Sequence, residues 1–161
     1  MALPDFEPAV RRLAAALGAR GWRMATAESC TGGLIAAACT AVAGSSNWFE
    51  RGIVSYSNEA KQTLLGVPET LLAAHGAVSR EVALAMALGA LRHAPVQLTV
   101  AVTGIAGPGG AVPGKPVGTV WLAWATVAGA QAELLQLPGD RSAVRAATVA
   151  AALRRLTEAA A

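Results

Sequence analysis

The apolar residues Val10, Leu13, Ala14 and Leu17 recur three and four positions apart between Pro8 and Ala19. That is the period of a helix with one buried face, and Gly18 and Gly21 close it. Trp22 to Thr26 reads as a strand ending near Glu28, and Gly32 to Val42 as a buried helix. Gly44-Ser45-Ser46-Asn47 is turn chemistry. Arg51 to Ser57 reads as a second strand, after which Asn58 caps a short helix reaching Leu65. Pro68 starts a further helical turn that His75-Gly76 ends. Ser79 is the N-cap of a strong helix to Leu91, with Val82, Met86 and Leu91 on its apolar face. Gln97 to Thr103 is apolar at nearly every position and reads as a central strand. Six of the fifteen residues from Gly104 to Gly118 are Gly and three are Pro, so this stretch is a loop. Val117 to Val127 is apolar on both faces. Trp121 and Trp124 point to opposite sides of it, which makes it an internal strand. Ala128-Gly129 turns tightly into an antiparallel strand, Ala132–Leu137. Asp140, within Gly139-Asp140-Arg141, then caps a last helix ending near Leu156.

The order α-β-α-β-α-α-β-loop-β-β-α predicts an α/β fold. It is a three-layer α/β/α sandwich with five mostly parallel strands and a hairpin near one edge. At 161 residues the chain is expected to form one domain, residues 1–161. Sheets of this kind place their sites beyond the carboxyl ends of strands. Three stretches end there: Ser29-Cys30-Thr31, Tyr56-Ser57-Asn58 and Thr103-Gly104-Ile105.

Composition narrows the function classes. The chain is 54% hydrophobic and 14% charged, which suits a sheet covered on both faces, and the high apolar fraction points to a homodimer. The net charge of +3 is scattered, with no basic run interleaved with aromatics. Nucleic acid is therefore not indicated, whereas a phosphorylated small molecule fits. The amino terminus carries Asp5 and Glu7 without a long apolar core, and no apolar run is long enough for a membrane span. Cys30 and Cys39 form no disulfide framework, which points to a reducing cytoplasm.

The candidate chemistry sits at Thr26-Ala27-Glu28-Ser29-Cys30-Thr31-Gly32-Gly33, a strand-to-helix turn with hydroxyls and a thiol at the bend. Ser29 is a nucleophile candidate, and the N–H groups after it lie at the positive end of a helix. The plainer reading is a tight turn with Ser29 or Thr31 as N-cap. In Tyr56-Ser57-Asn58-Glu59-Ala60-Lys61, an Asn58 cap puts Lys61 at N3, where the helix end and partial burial both lower its pKa. A serine beside such a lysine makes a nucleophile–base pair. The plainer reading leaves Lys61 in water and Tyr56 in the core.

Three rival motifs fail. Gly109 to Pro116 nearly spells a P-loop, but Pro116 replaces the magnesium-binding hydroxyl and a strand follows. Ser-x-x-Lys is broken by Gly32. His75 and His93 have no partner at metal-ligand spacing, so no metal is expected.

The stretches Thr26 to Gly33, Gly44-Ser45-Ser46, Tyr56 to Lys61, Gly76 to Ser79, Thr103 to Pro108, Lys115 to Val120 and Gly139-Asp140-Arg141 together resemble the CinA carboxyl-terminal domain family over residues 10 to 157. That family includes nicotinamide mononucleotide deamidases. The resemblance implies a metal-independent serine amidohydrolase without cofactor, in the stand-alone form lacking a molybdopterin-binding-like domain. It implies strand order 2-1-3-4-5 with strand 4 antiparallel. It also implies Ser29 as nucleophile, Lys61 as general base and Tyr56 as its partner. Thr31, Gly32 and Gly33 would supply oxyanion donors, and Thr103 and Gly104 a substrate wall. Arg141 and Arg145 are candidates for the substrate phosphate. Two other classes stay open: a module that binds a nucleotide without turnover, and a DNA-competence accessory, which the charge pattern does not favour.

Overall fold

A computed structural model describes residues 3–161. Helix α1 (Glu7–Arg20) leads into β1 (Met24–Glu28), followed by α2 (Leu34–Thr40) and β2 (Phe49–Val54). Three helices come next, α3 (Asn58–Leu65), α4 (Glu69–His75) and α5 (Arg80–His93). Then β3 (Leu98–Gly104), β4 (Thr119–Thr126) and β5 (Gly129–Gln136) run in succession before α6 (Arg141–Ala160). The five strands form one sheet in the order β2-β1-β3-β4-β5. β1 is parallel to β2 and β3, and β4 is antiparallel to both its neighbours. This is the order and the reversed strand that the resemblance implied.

The two faces of the sheet are built differently. Leu98, Val100, Val102, Val120 and Leu122 point into a cluster with Val10, Leu13, Leu17, Val149 and Leu153, so α1, α2 and α6 form one layer. The alternate positions Ala101, Ala123 and Ala125 meet Ala83, Met86, Ala87 and Ala90 of α5. Small side chains on both surfaces let α5 lie close to the strands. The buried Thr99 hydroxyl even donates to the Ala87 carbonyl at 2.7 Å. Trp121 packs with the α5 cluster and Trp124 with the other, on opposite faces as the odd spacing requires.

Several boundaries shift from the sequence reading, β5 starting at Gly129 and α6 ending at Ala160 among them, and three of the shifts bear on the site. Helix α2 begins at Leu34, because Gly32 and Gly33 adopt left-handed φ values of 57° and 102°. Strand β2 stops at Val54: Ser55 N–H still reaches Glu28 O of β1 at 2.9 Å, and Tyr56 and Ser57 then turn away to start the next helix. The cap of α3 is Ser57, whose Oγ accepts from the Ala60 N–H at 3.0 Å, so Lys61 lies one position further into the helix than an Asn58 cap would put it.

Candidate active site

The Ser29 turn leaves β1 between two partner strands. Ser29 N–H donates to Val102 O at 3.0 Å, which keeps the turn in line with β3. Gly32 N–H folds back onto Ser29 O at 3.0 Å. Glu28 is only 1% exposed. Its carboxylate accepts from the Thr31 hydroxyl at 2.6 Å, Ile35 N–H at 2.9 Å and Ala36 N–H at 3.0 Å. Helix α2 has no side-chain cap at Gly33, so this buried carboxylate supplies the missing acceptors from the preceding strand. The positive end of α2 is thereby already neutralised.

Lys61 is the largest fully buried side chain, at 1% exposure. Its Nζ lies 3.0 Å from Ser29 Oγ, 3.0 Å from Ser55 O and 2.9 Å from Tyr56 O. Burial lowers the Lys61 pKa, opposed by the neighbouring Cys30 sulfur. Carbonyl oxygens only accept. A neutral amine here spends both its hydrogens on Ser55 and Tyr56 and turns its lone pair to the Ser29 hydroxyl. Those two carbonyls are free because β2 ends early. Their role was not visible in the sequence.

The three strand ends converge on a cavity of about 260 Å³ lined by Ser29, Cys30, Lys61, Thr103, Gly104 and Arg141, among others. Thr103 donates its hydroxyl to Ala77 O at 2.9 Å, tying this wall to the start of α5. A Cβ on Gly104 would sit 2.6 Å from Val120 Cγ2 and 2.9 Å from Thr119 O, so β4 can approach here only because the residue is glycine. Arg141 bridges the mouth, donating to Gly107 O at 2.9 Å and to the Tyr56 hydroxyl at 3.2 Å. Burial pushes the Cys30 thiol up to about 11, so it is a protonated, poor nucleophile at neutral pH.

Four of the expected residues are placed differently from the sequence reading. The Tyr56 side chain is 59% exposed and bonded to Arg141, and what touches Lys61 is the Tyr56 backbone carbonyl. The Thr31 side chain is buried against Glu28, turned from the cavity. Gly32 spends its N–H inside the turn, whereas Cys30, which lines the cavity, has its N–H against its own sulfur and directs it to no other described residue. Arg145 does not line the cavity. It donates to Cys30 O at 3.1 Å and Thr31 O at 3.0 Å from the far side of the turn. Glu28 was legible in retrospect as a carboxylate ending an otherwise uncharged strand, just before a helix whose first turn has no capping side chain.

Among the described residues, no three His, Cys, Asp or Glu side chains gather as a metal-binding group. None of the described helices is long and apolar enough to cross a membrane.

Fold and site together define an α/β protein with a buried serine–lysine pair at the carboxyl ends of its strands. The chain belongs to the CinA C-terminal domain family, whose profile matches residues 7–160. It is 54% identical over 142 residues to an Escherichia coli K12 protein named nicotinamide-nucleotide amidohydrolase PncC, covering 88% of this chain and 86% of that one. A Pseudomonas putida protein of the same name is 54% identical over 136 residues, covering 84% and 85%. The solved structure of the competence/damage inducible protein CihA from Agrobacterium tumefaciens superposes with a TM-score of 0.93 at 46% identity, over 97% of this chain and 96% of that one.

Proposed function

We propose that the chain is a nicotinamide mononucleotide deamidase, hydrolysing the substrate carboxamide to nicotinic acid mononucleotide and ammonia. The observation that carries the reading is the Lys61 Nζ to Ser29 Oγ contact of 3.0 Å, with two carbonyls holding the amine in place. The amidohydrolase names of relatives at 54% identity supply the substrate.

The chemistry follows from the donors and acceptors. Neutral Lys61 takes the Ser29 proton as Oγ attacks the carboxamide carbon. The negative charge on the former carbonyl oxygen faces the Cys30 N–H, the residue after the nucleophile. The Lys61 ammonium returns its proton to the departing nitrogen, ammonia leaves, and a nicotinoyl ester remains on Ser29. Water, deprotonated by Lys61, cleaves that ester and restores the serine. The pyridinium ring withdraws electrons and activates the amide. Arg141, at the cavity mouth and at the positive end of α6, is the phosphate ligand in this reading. Two buried free thiols, Cys30 and Cys39, suit a cytoplasmic enzyme.

Ammonia release from nicotinamide mononucleotide by the purified protein, compared with Ser29→Ala, tests the proposal. We expect turnover by the wild type and loss of about 10³ or more in the variant, which lacks its nucleophile but keeps the fold. Binding of the nucleotide without ammonia release would make the chain a binding module instead. Substantial turnover by Ser29→Ala would remove the covalent route.

A further inference from the structure

The Cys30–Thr31 and Thr31–Gly32 peptides lead from Ser29 into a glycine pair. Gly32 has positive φ and no side chain to resist rotation of the Thr31–Gly32 peptide before it, and that rotation would pull on the Cys30–Thr31 peptide next to it. A flip of the Cys30–Thr31 or Thr31–Gly32 unit would disturb the Cys30 backbone and turn a carbonyl oxygen towards the place where negative charge develops. The Thr31–Gly32 peptide is held in part by backbone bonds, Gly32 N–H to Ser29 O at 3.0 Å and Leu34 N–H to Thr31 O at 3.1 Å, and Arg145 opposes both flips beside them. Its Nε donates to Cys30 O at 3.1 Å and a terminal nitrogen donates to Thr31 O at 3.0 Å. One rigid guanidinium thus fixes two consecutive carbonyls on the side away from the cavity. It comes from α6, 115 residues later in the chain.

We infer that Arg145 is a positioning residue of the reaction: it locks the nucleophile turn with its carbonyls facing away from the substrate, and so holds the Cys30 N–H on the reacting oxygen. The inference rests on the serine–lysine reading of the site and deepens it. Arg145 does not act on the substrate phosphate. The groove it lines, of about 390 Å³, is walled by Leu3, Pro4, Leu34, Ser142, Ala143 and Ala146 and shares no residue with the cavity that contains Ser29 and Lys61.

An uncharged alkyl fluorophosphonate separates this role from phosphate binding and from substrate choice. Ser29 Oγ attacks phosphorus, fluoride leaves and the serine proton goes to Lys61, so the labelling rate reads the nucleophile and its oxyanion donors alone. It is measured by intact mass for the wild type, Arg145→Ala, Arg145→Lys and, as a control for charge loss on the same helix, Arg154→Gln. We expect Arg145→Ala to label at least about tenfold more slowly, a smaller effect than the loss of a whole oxyanion donor. Arg145→Lys, which keeps charge but not the two-pronged fork, should also be slow, and Arg154→Gln should match the wild type. Methylguanidinium added to Arg145→Ala should restore part of the rate by entering the groove, a rescue that a merely loosened fold would not show. With nicotinamide mononucleotide the loss should fall on kcat with KM nearly unchanged.

Wild-type labelling rates in both Arg145 variants, or a defect confined to KM, would overturn the inference. If Arg145→Ala does not fold by circular dichroism, the lysine variant decides on the same terms. Labelled wild type that releases no ammonia would overturn only the substrate assignment. Failure of the wild type to label at Ser29 would overturn the nucleophile, and this inference with it.

Discussion

Two glycine-containing segments border the cavity, and they are held in different ways. The turn from Ser29 to Gly33 has backbone bonds of its own and is fixed in addition by charged side chains: buried Glu28 on one side, Arg145 on the other, and Lys61 against the hydroxyl itself. The loop from Ile105 to Gly118 is held mainly by its own backbone. Gly118 N–H donates to Ile105 O, Ile105 N–H donates to Thr119 O, and Val112 and Lys115 pair across the tip. Its side-chain ties are few: Arg141 on Gly107 O, Lys115 on His75 O and the Thr119 hydroxyl on Pro116 O. The tip from Gly109 to Gly114 is exposed. Bond making needs atoms held to fractions of an ångström, and the hydroxyl we propose as the nucleophile sits where ionic side chains over-determine the chain. A loop that only borders the cavity can be looser.

The contrast predicts that changes to the turn cost most. Glu28→Ala should be the most damaging. It strips the acceptor from two helix N–H groups and the Thr31 hydroxyl, each worth about 1–3 kcal/mol when left buried and unpaired. We expect a loss of about 3 kcal/mol or more by urea unfolding. A variant as stable as the wild type would mean that the turn does not depend on this carboxylate.

Next comes Lys61. Lys61→Arg keeps the charge, but a guanidinium cannot act as a base, so turnover should fall by about 10² or more. In the wild type, burial lowers the lysine pKa from its ordinary 10.5. The rate should therefore rise with pH through that lowered value, as the amine loses its proton, and then level off. The same shift bears on stability. The unfolded chain holds the lysine proton over the pH range between the lowered value and 10.5, where the folded chain has released it. Stability should rise with pH across that window. Arginine-variant rates near wild type from pH 6 to 9 would sink the base assignment.

The smallest expected effect belongs to the loop side. Arg141→Ala removes the tie to Gly107 and, in our reading, a phosphate ligand. KM for nicotinamide mononucleotide should rise about tenfold, the size of one charge-assisted hydrogen bond, with kcat within a few fold. Equal losses in kcat and kcat/KM would place Arg141 with the turn and blur the comparison. Steady-state rates over a range of substrate concentrations decide it.

Much of the architecture is legible in the sequence because helix and strand periods are local properties. The face of α1 shows in Val10, Leu13 and Leu17, and the caps at Ser79 and Asp140 in a polar residue before an apolar run. The opposed tryptophans of β4 follow from spacing alone. The three strand ends that meet at the cavity could be picked out before their meeting was known. What remained hidden depends on which polar groups stay unpaired once the chain has packed. Helix α3 accepts Ser57 rather than Asn58 as its cap because β2 lets go of the sheet at Val54, and the same release frees the Ser55 and Tyr56 carbonyls for Lys61. Tyr56 supplies a backbone oxygen where its phenol was expected. Arg145 is a surface cation by its neighbours in sequence, yet α6 packs on β3 beside α2 and delivers it to carbonyls 114 and 115 residues away. The spacing of residues determined the elements and the candidate chemistry. The orientation of each donor and acceptor was decided only in the tertiary structure, because an amine, a carbonyl and a guanidinium take their roles from partners that the chain brings together across the sheet.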